Sequence, residues 1–99
     1  MSHPLATRRK NVRYQPDPGT VALIDLINEK PSDFNVGVAA IVENESHRGC
    51  GLLLLWTEAL QPGDVFLVQV GLMDPMRAQV RYRRELDNLA VKLGVQFLD

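Results

Sequence analysis

A single cysteine, Cys50, stands in the 99 residues, which rules out an internal disulfide and any cysteine-rich metal site and fits a reducing compartment. Histidine is almost as scarce. His3 and His47 lie far apart in the chain and make no metal-ligating or acid–base constellation with the scattered carboxylates. Aromatic residues amount to 6% and are not interleaved with a basic stripe, as surfaces that bind single-stranded nucleic acid require. Long apolar runs are missing too: the longest, Leu52 to Trp56, falls far short of the roughly 20 residues that span a bilayer. The basic residues near the start adjoin no apolar stretch, so neither a signal peptide nor an anchor is expected. With a net charge of -1 the molecule exerts no generic pull on nucleic acid or anionic membrane. These absences predict a cytoplasmic protein without nucleic-acid partner, membrane insertion or cofactor. An enzyme is not expected either, because no activated nucleophile, acid/base pair or metal set can be assembled from the spacing.

What is present is an ordinary foldable composition, 45% hydrophobic and 23% charged, in a chain long enough for one modest core. The apolar residues recur with the period of strands. Thr20 to Ile27 is aliphatic and reads as a strand, with a short helix as the alternative, and Phe34 to Val42 sets Val36, Val38, Ala40 and Val42 against Ala39 and Ile41, predicting a strand buried on both faces at its end. Cys50 to Trp56 is an apolar strand, with Cys50 as a small buried hydrophobe and Trp56 at the core or its rim. Past the turn Gln61-Pro62-Gly63-Asp64, residues Val65 to Val70 alternate. Ala78, Val80 and Tyr82 then alternate with Arg77, Gln79, Arg81 and Arg83, predicting a strand with a core face and a wet face. Leu89 to Leu98 closes the series, with Val91, Leu93, Val95 and Phe97 on one side. Six short strands at intervals of roughly ten residues argue for an all-β, six-stranded antiparallel barrel. Residues 1–19 read as a basic N-terminal arm ended by Pro16-Asp17-Pro18-Gly19, and residues 20–99 as the barrel, with no long C-terminal helix.

Two features carry chemistry. Arg9 and Arg13, with Arg8 beside them, put guanidinium groups into an arm that holds no acid before Asp17. A guanidinium fork can donate two hydrogen bonds to a phosphate or to a guanine edge, and its flat face can stack on a base. Residues four apart converge in a turn but lie about 13 Å apart in a straight strand. The spacing alone is weak evidence, since Arg77-x-x-x-Arg81 repeats it on a strand whose arginines read as solvated. Asn44-Glu45-Ser46-His47-Arg48-Gly49 is more specific. Asn44 can donate and accept, Ser46 adds a rotatable hydroxyl, and Gly49 admits a close backbone approach at the entrance to the next strand. A hydrated arm and a polar turn with local hydrogen bonds are the plain alternatives.

Taken together, Arg9-x-x-x-Arg13 followed by Asn44-x-Ser46-x-x-Gly49 resembles the PilZ domain family, and the closing Leu93-Gly94-Val95-Gln96-Phe97 looks like that family's terminal strand. The resemblance implies a non-catalytic receptor for cyclic di-GMP, with Arg9 and Arg13 on phosphates and guanine edges and Asn44, Ser46 and Gly49 holding a guanine against the barrel. Arg8 is where a further guanidinium could stack on a second, intercalated ligand molecule. It also implies bacterial second-messenger signalling of the kind that governs motility and biofilm formation, with the arm ordered on binding and the change passed to an effector protein. A homodimer is compatible with it. The alternative is a degenerate member that keeps the barrel as a protein-interaction module and binds no nucleotide.

Overall fold

The structure, a computed structural model, describes residues 16–43 and 50–98. Its strands are β1 (Val21–Asp25), β2 (Val38–Glu43), β3 (Cys50–Leu55), β4 (Val65–Val70), β5 (Met76–Glu85) and β6 (Ala90–Leu98). Every neighbouring pair is antiparallel, and the order β1-β2-β3-β6-β5-β4 closes on itself through β1 and β4. The fold is therefore the six-stranded all-β barrel that the strand spacing predicts. Closure pairs the backbone groups that an open sheet would leave bare at two edges.

Alternation fills the interior. Ala22 and Ile24, Ala40 and Val42, Leu52 and Leu54, Phe66, Val68 and Val70, Ala78 and Val80, and Val91, Leu93 and Val95 all point inward and are buried. Each fully buried Val, Leu, Ile or Phe side chain contributes about 1.5–3 kcal/mol. Cys50 is buried among them, and Phe97 packs against the cluster from its rim. Two proline–glycine turns set the strand entries. The Thr20 N–H donates to the Asp17 carbonyl at 3.2 Å and the Asp64 N–H to the Gln61 carbonyl at 2.9 Å. In both, the third residue is a glycine at positive φ, Gly19 at 90° and Gly63 at 94°, as a type II turn requires.

The structure departs from the sequence pattern in β2, which begins at Val38 rather than Phe34. The cause is Asp25. Its carboxylate, 1% exposed, accepts the N–H groups of Ile27 at 2.8 Å, Asn28 at 3.0 Å and Asn35 at 2.8 Å, and the Asn28 side-chain amide at 2.8 Å. These bonds fold the 26–37 connection back beside β1 and take the Asn35 amide out of any ladder, leaving Val36 exposed. Ala39 and Ile41 are exposed as well, where burial on both faces was expected. A closed barrel has one interior, and β2 can bury only one side in it.

The second departure is in β5. Val80 pairs with Val95 and Tyr82 with Gly94, so Arg81 is an extra residue, a β-bulge. Beyond it the phase of the strand reverses. Tyr82 leaves the core for the outer wall, and Arg83, opposite the inward Leu93, turns to the barrel mouth with its side chain 6% exposed. There Nη1 donates to the Ala59 carbonyl at 2.9 Å and Nη2 to the Thr57 carbonyl at 2.6 Å. The expected solvated Arg83 and core Tyr82 are thus exchanged. Because β3 and β4 are not neighbours, the chain from Trp56 to Asp64 must cross this mouth, and it does so with Leu60 inserted into the core. Leu60 adopts φ 67°, a left-handed conformation costly for a side chain with a Cβ, and Arg83 grips the carbonyl immediately before it.

Burial alone would raise the Asp25 carboxyl. The N–H donors of Asn28, Ile27 and Asn35 outweigh that effect and hold it well below the usual carboxylate range. A depressed folded-state value stabilises the fold above the unfolded value, about 3.9, and the contribution is lost as pH falls below it. Asp25→Asn should therefore lower stability at neutral pH and flatten the loss of stability below about pH 4. Urea denaturation of both proteins across that range measures the difference, and parallel pH profiles would contradict the role given to Asp25.

Candidate functional site

All six residues that the motifs single out, Arg8, Arg9, Arg13, Asn44, Ser46 and Gly49, lie outside the described residues, as do His47 and Arg48. What the structure does describe is where their two segments join the barrel. The Gly19 N–H donates to the Val42 carbonyl at 2.8 Å, and the Val42 N–H donates to the Thr20 carbonyl at 2.8 Å. Segment 1–15 therefore leads into a turn fastened to the end of β2. Segment 44–49 leaves that strand at Glu43, the next residue. Two stretches some thirty positions apart in sequence are attached to one point on the barrel rim.

Beside that point, the outer wall of β2, β3, β6 and β5 carries an unusual row. Glu43 pairs with Gly51, Gly51 with Gly94, and Gly94 with Tyr82. The two glycines lower the wall, and the Tyr82 ring lies against Gly94. A Cβ on Gly94 would stand 2.1 Å from Cε2, 2.5 Å from Cδ2 and 2.7 Å from Cζ of that ring. A glycine inside a strand marks such a close approach. The bulge brings it about by sending Tyr82 outward.

Cations surround the row. Arg81 donates through Nη1 to Gln96 Oε1, which holds its guanidinium along β6. Lys92 Nζ lies 3.8 Å from Glu43 Oε1, spanning the wall from β6 to β2. Lys92 also sits opposite Arg84 across the β5–β6 pair, a like-charge arrangement that the Glu43 carboxylate beside Lys92 relieves. Arg77 lies farther along β5, exposed and paired in register with Leu98. Among the described residues the wall carries Arg77, Arg81, Arg84 and Lys92, with Glu43 beside Lys92. Guanidinium forks beside an aromatic face suit a planar, anionic ligand. Among the described residues, no three His, Cys, Asp or Glu side chains gather where they could hold a metal ion.

Sequence patterning alone assigns Tyr82 to the core and leaves Gly94 as one wet position among several. The single available signal was Gly94 itself, a glycine in the middle of an apolar strand. Comparison with family models, curated proteins and solved structures returned no match.

If the ring occupies the space of the missing side chain, Gly94→Ala should destabilise the protein by about 1–3 kcal/mol, as overpacking does. On a Tyr82→Ala background the same substitution should cost little, because the obstructing atoms are gone. A denaturation double-mutant cycle reads the coupling, and additive effects would mean that the contact does not carry the cost.

Proposed function

We propose that this chain is a non-catalytic receptor for cyclic di-GMP that acts in the cytoplasm. The reading rests on the resemblance of Arg9-x-x-x-Arg13 and Asn44-x-Ser46-x-x-Gly49 to the PilZ signature, and one observation supports it above the others. The Gly19–Val42–Thr20 hydrogen bonds fasten the turn that follows the arginine segment next to the strand end that precedes the second motif. Residues from both can then converge on one ligand, which neither segment could enclose alone.

In this reading Arg9 and Arg13 take the phosphates and guanine edges, Arg8 stacks, and Asn44, Ser46 and Gly49 hold a guanine near the glycine row. The cationic outer wall lowers the cost of bringing two phosphates to the barrel. Binding fastens the arm across the wall and so changes the surface that an effector protein meets. No bond is made or broken; the signal is a shift between two surfaces, driven by the ligand's preference for the fastened one.

A charge-assisted hydrogen bond contributes about 1.5–3 kcal/mol, so Arg9→Ala or Arg13→Ala should weaken binding by roughly 10- to 100-fold. Arg77→Ala, which repeats the spacing without the location, should change it by less than about threefold. Isothermal titration with cyclic di-GMP makes both measurements. The absence of heat at millimolar ligand would sink the proposal, and equal losses in Arg9→Ala and Arg77→Ala would sink the assignment of residues.

A further inference from the structure

The end of the barrel opposite Glu43 carries side chains that neither the core nor the nucleotide reading uses. Leu55 closes β3 and Trp56 follows it, while Leu86 and Leu89 stand at either end of the β5–β6 turn. Their exposures are 76%, 42%, 49% and 69%. They are neighbours in space. Leu55 is paired with Ala90, the Trp56 N–H donates to the Leu89 carbonyl at 2.9 Å, and the Leu86 N–H donates to the Ala90 carbonyl at 3.1 Å. One exposed leucine is unremarkable, but four large apolar groups on the adjoining ends of three strands form a continuous patch of the kind that marks a docking surface.

The patch is also held in place. Arg83 lies 5.9 Å from the centroid of the Trp56 ring and bonds the carbonyls of Thr57 and Ala59 just beyond it. Asp87 Oδ1 accepts the N–H groups of Leu89 at 2.7 Å and Ala90 at 3.0 Å, shaping the turn between Leu86 and Leu89. A surface already fixed in shape loses little freedom when a partner covers it.

Charge decides which partner fits. Glu58, Glu85 and Asp87 edge the patch and are exposed; Arg83, turned inward, bonds two carbonyls and pairs with Glu85 at 3.3 Å, which leaves Glu58 and Asp87 as the acids that face a partner. Glu29, Asp33 and Asp64 stand at the same end of the barrel, with only Lys30 and Arg84 exposed against them. This end is therefore apolar with an acidic rim, while the cationic wall begins at the other. We propose that the Leu55–Trp56–Leu86–Leu89 face docks a partner protein through an apolar segment flanked by lysine or arginine. Opposite charges at the rim steer such a segment and repel acidic competitors, and Trp56, buried by the partner, supplies the anchor. The face stands apart from the nucleotide reading and can be occupied whatever the ligand.

Trp56 is the chain's only tryptophan and reports on its own patch. The probe is a synthetic amphipathic leucine–lysine peptide, with a leucine–glutamate peptide of the same pattern as control. The lysine peptide should give a saturable blue shift of Trp56 emission in the full-length protein, and the glutamate peptide none. Leu55→Asp, Leu89→Asp and Glu58→Lys should each weaken the lysine peptide by about tenfold or more, while Leu72→Asp, at an exposed leucine of the other end, should leave it unchanged. All four positions are exposed, and a thermal melt of each variant checks that it folds. Equal binding of both peptides, or full binding by Leu55→Asp and Leu89→Asp, overturns the proposal. So does concentration-dependent dimerisation in sedimentation that Leu89→Asp abolishes, because the occupant would then be a second copy.

Discussion

One extra residue in β5 governs more of this molecule than any buried contact. The bulge at Arg81 reverses which side chains of the strand face inward, so Tyr82 goes to the outer wall and Arg83 to the barrel mouth. From there Arg83 bonds two carbonyls of the chain that must cross that mouth, on either side of which stand Trp56 and Leu60. A guanidinium can do this because its rigid fork reaches two acceptors at once and stays charged in a confined place. Without the bulge the arginine would lie in water, and the left-handed Leu60 would have no grip on the carbonyl before it.

The same shift sets up the outer wall. Tyr82 can lie on Gly94 only because it faces outward, and the glycine pair Gly51–Gly94 leaves room for a ring where ordinary side chains would stand. The strand thus contributes to both ends of the barrel: a planar, cationic wall beside the junction of the two motif-bearing segments, and a braced apolar face at the far mouth. A net charge of -1 conceals this division. Among the described residues Glu29, Asp33, Glu58, Asp64, Glu85 and Asp87 stand at the far mouth, and the cations Arg77, Arg81, Arg84 and Lys92 are on β5 and β6.

Much of the architecture was legible in the pattern. Period-two alternation marks β4, β6 and the first half of β5, aliphatic content alone marks β1, and the proline–glycine turns at Pro18 and Pro62 punctuate them as turn chemistry demands. The miscounted residues have a common cause. Phe34 to Gly37 alternate like a strand, but the Asn35 N–H in that stretch is claimed by Asp25, and Tyr82 and Arg83 continue an alternation that the bulge has already broken. In each case a hydrogen bond between residues distant in sequence, or a change of register against a partner strand, overrides the local period.

Composition and periodicity by themselves determined that the chain is a single all-β unit with six strands, and the arginine pair with the Asn44-x-Ser46-x-x-Gly49 segment was recognisable from residue types and order alone. Both are properties of one strand or one loop at a time. That the turn at residues 17–20 is fastened to the end of β2, the strand that the second motif follows, was decided by the tertiary structure, through the bonds of Gly19 and Thr20 to Val42. So were the placing of Tyr82 on Gly94 and the acidic, apolar far mouth. The physical reason is that a strand's own sequence encodes which of its residues alternate, whereas which strand lies beside it, and in what register, is a property of the closed barrel as a whole.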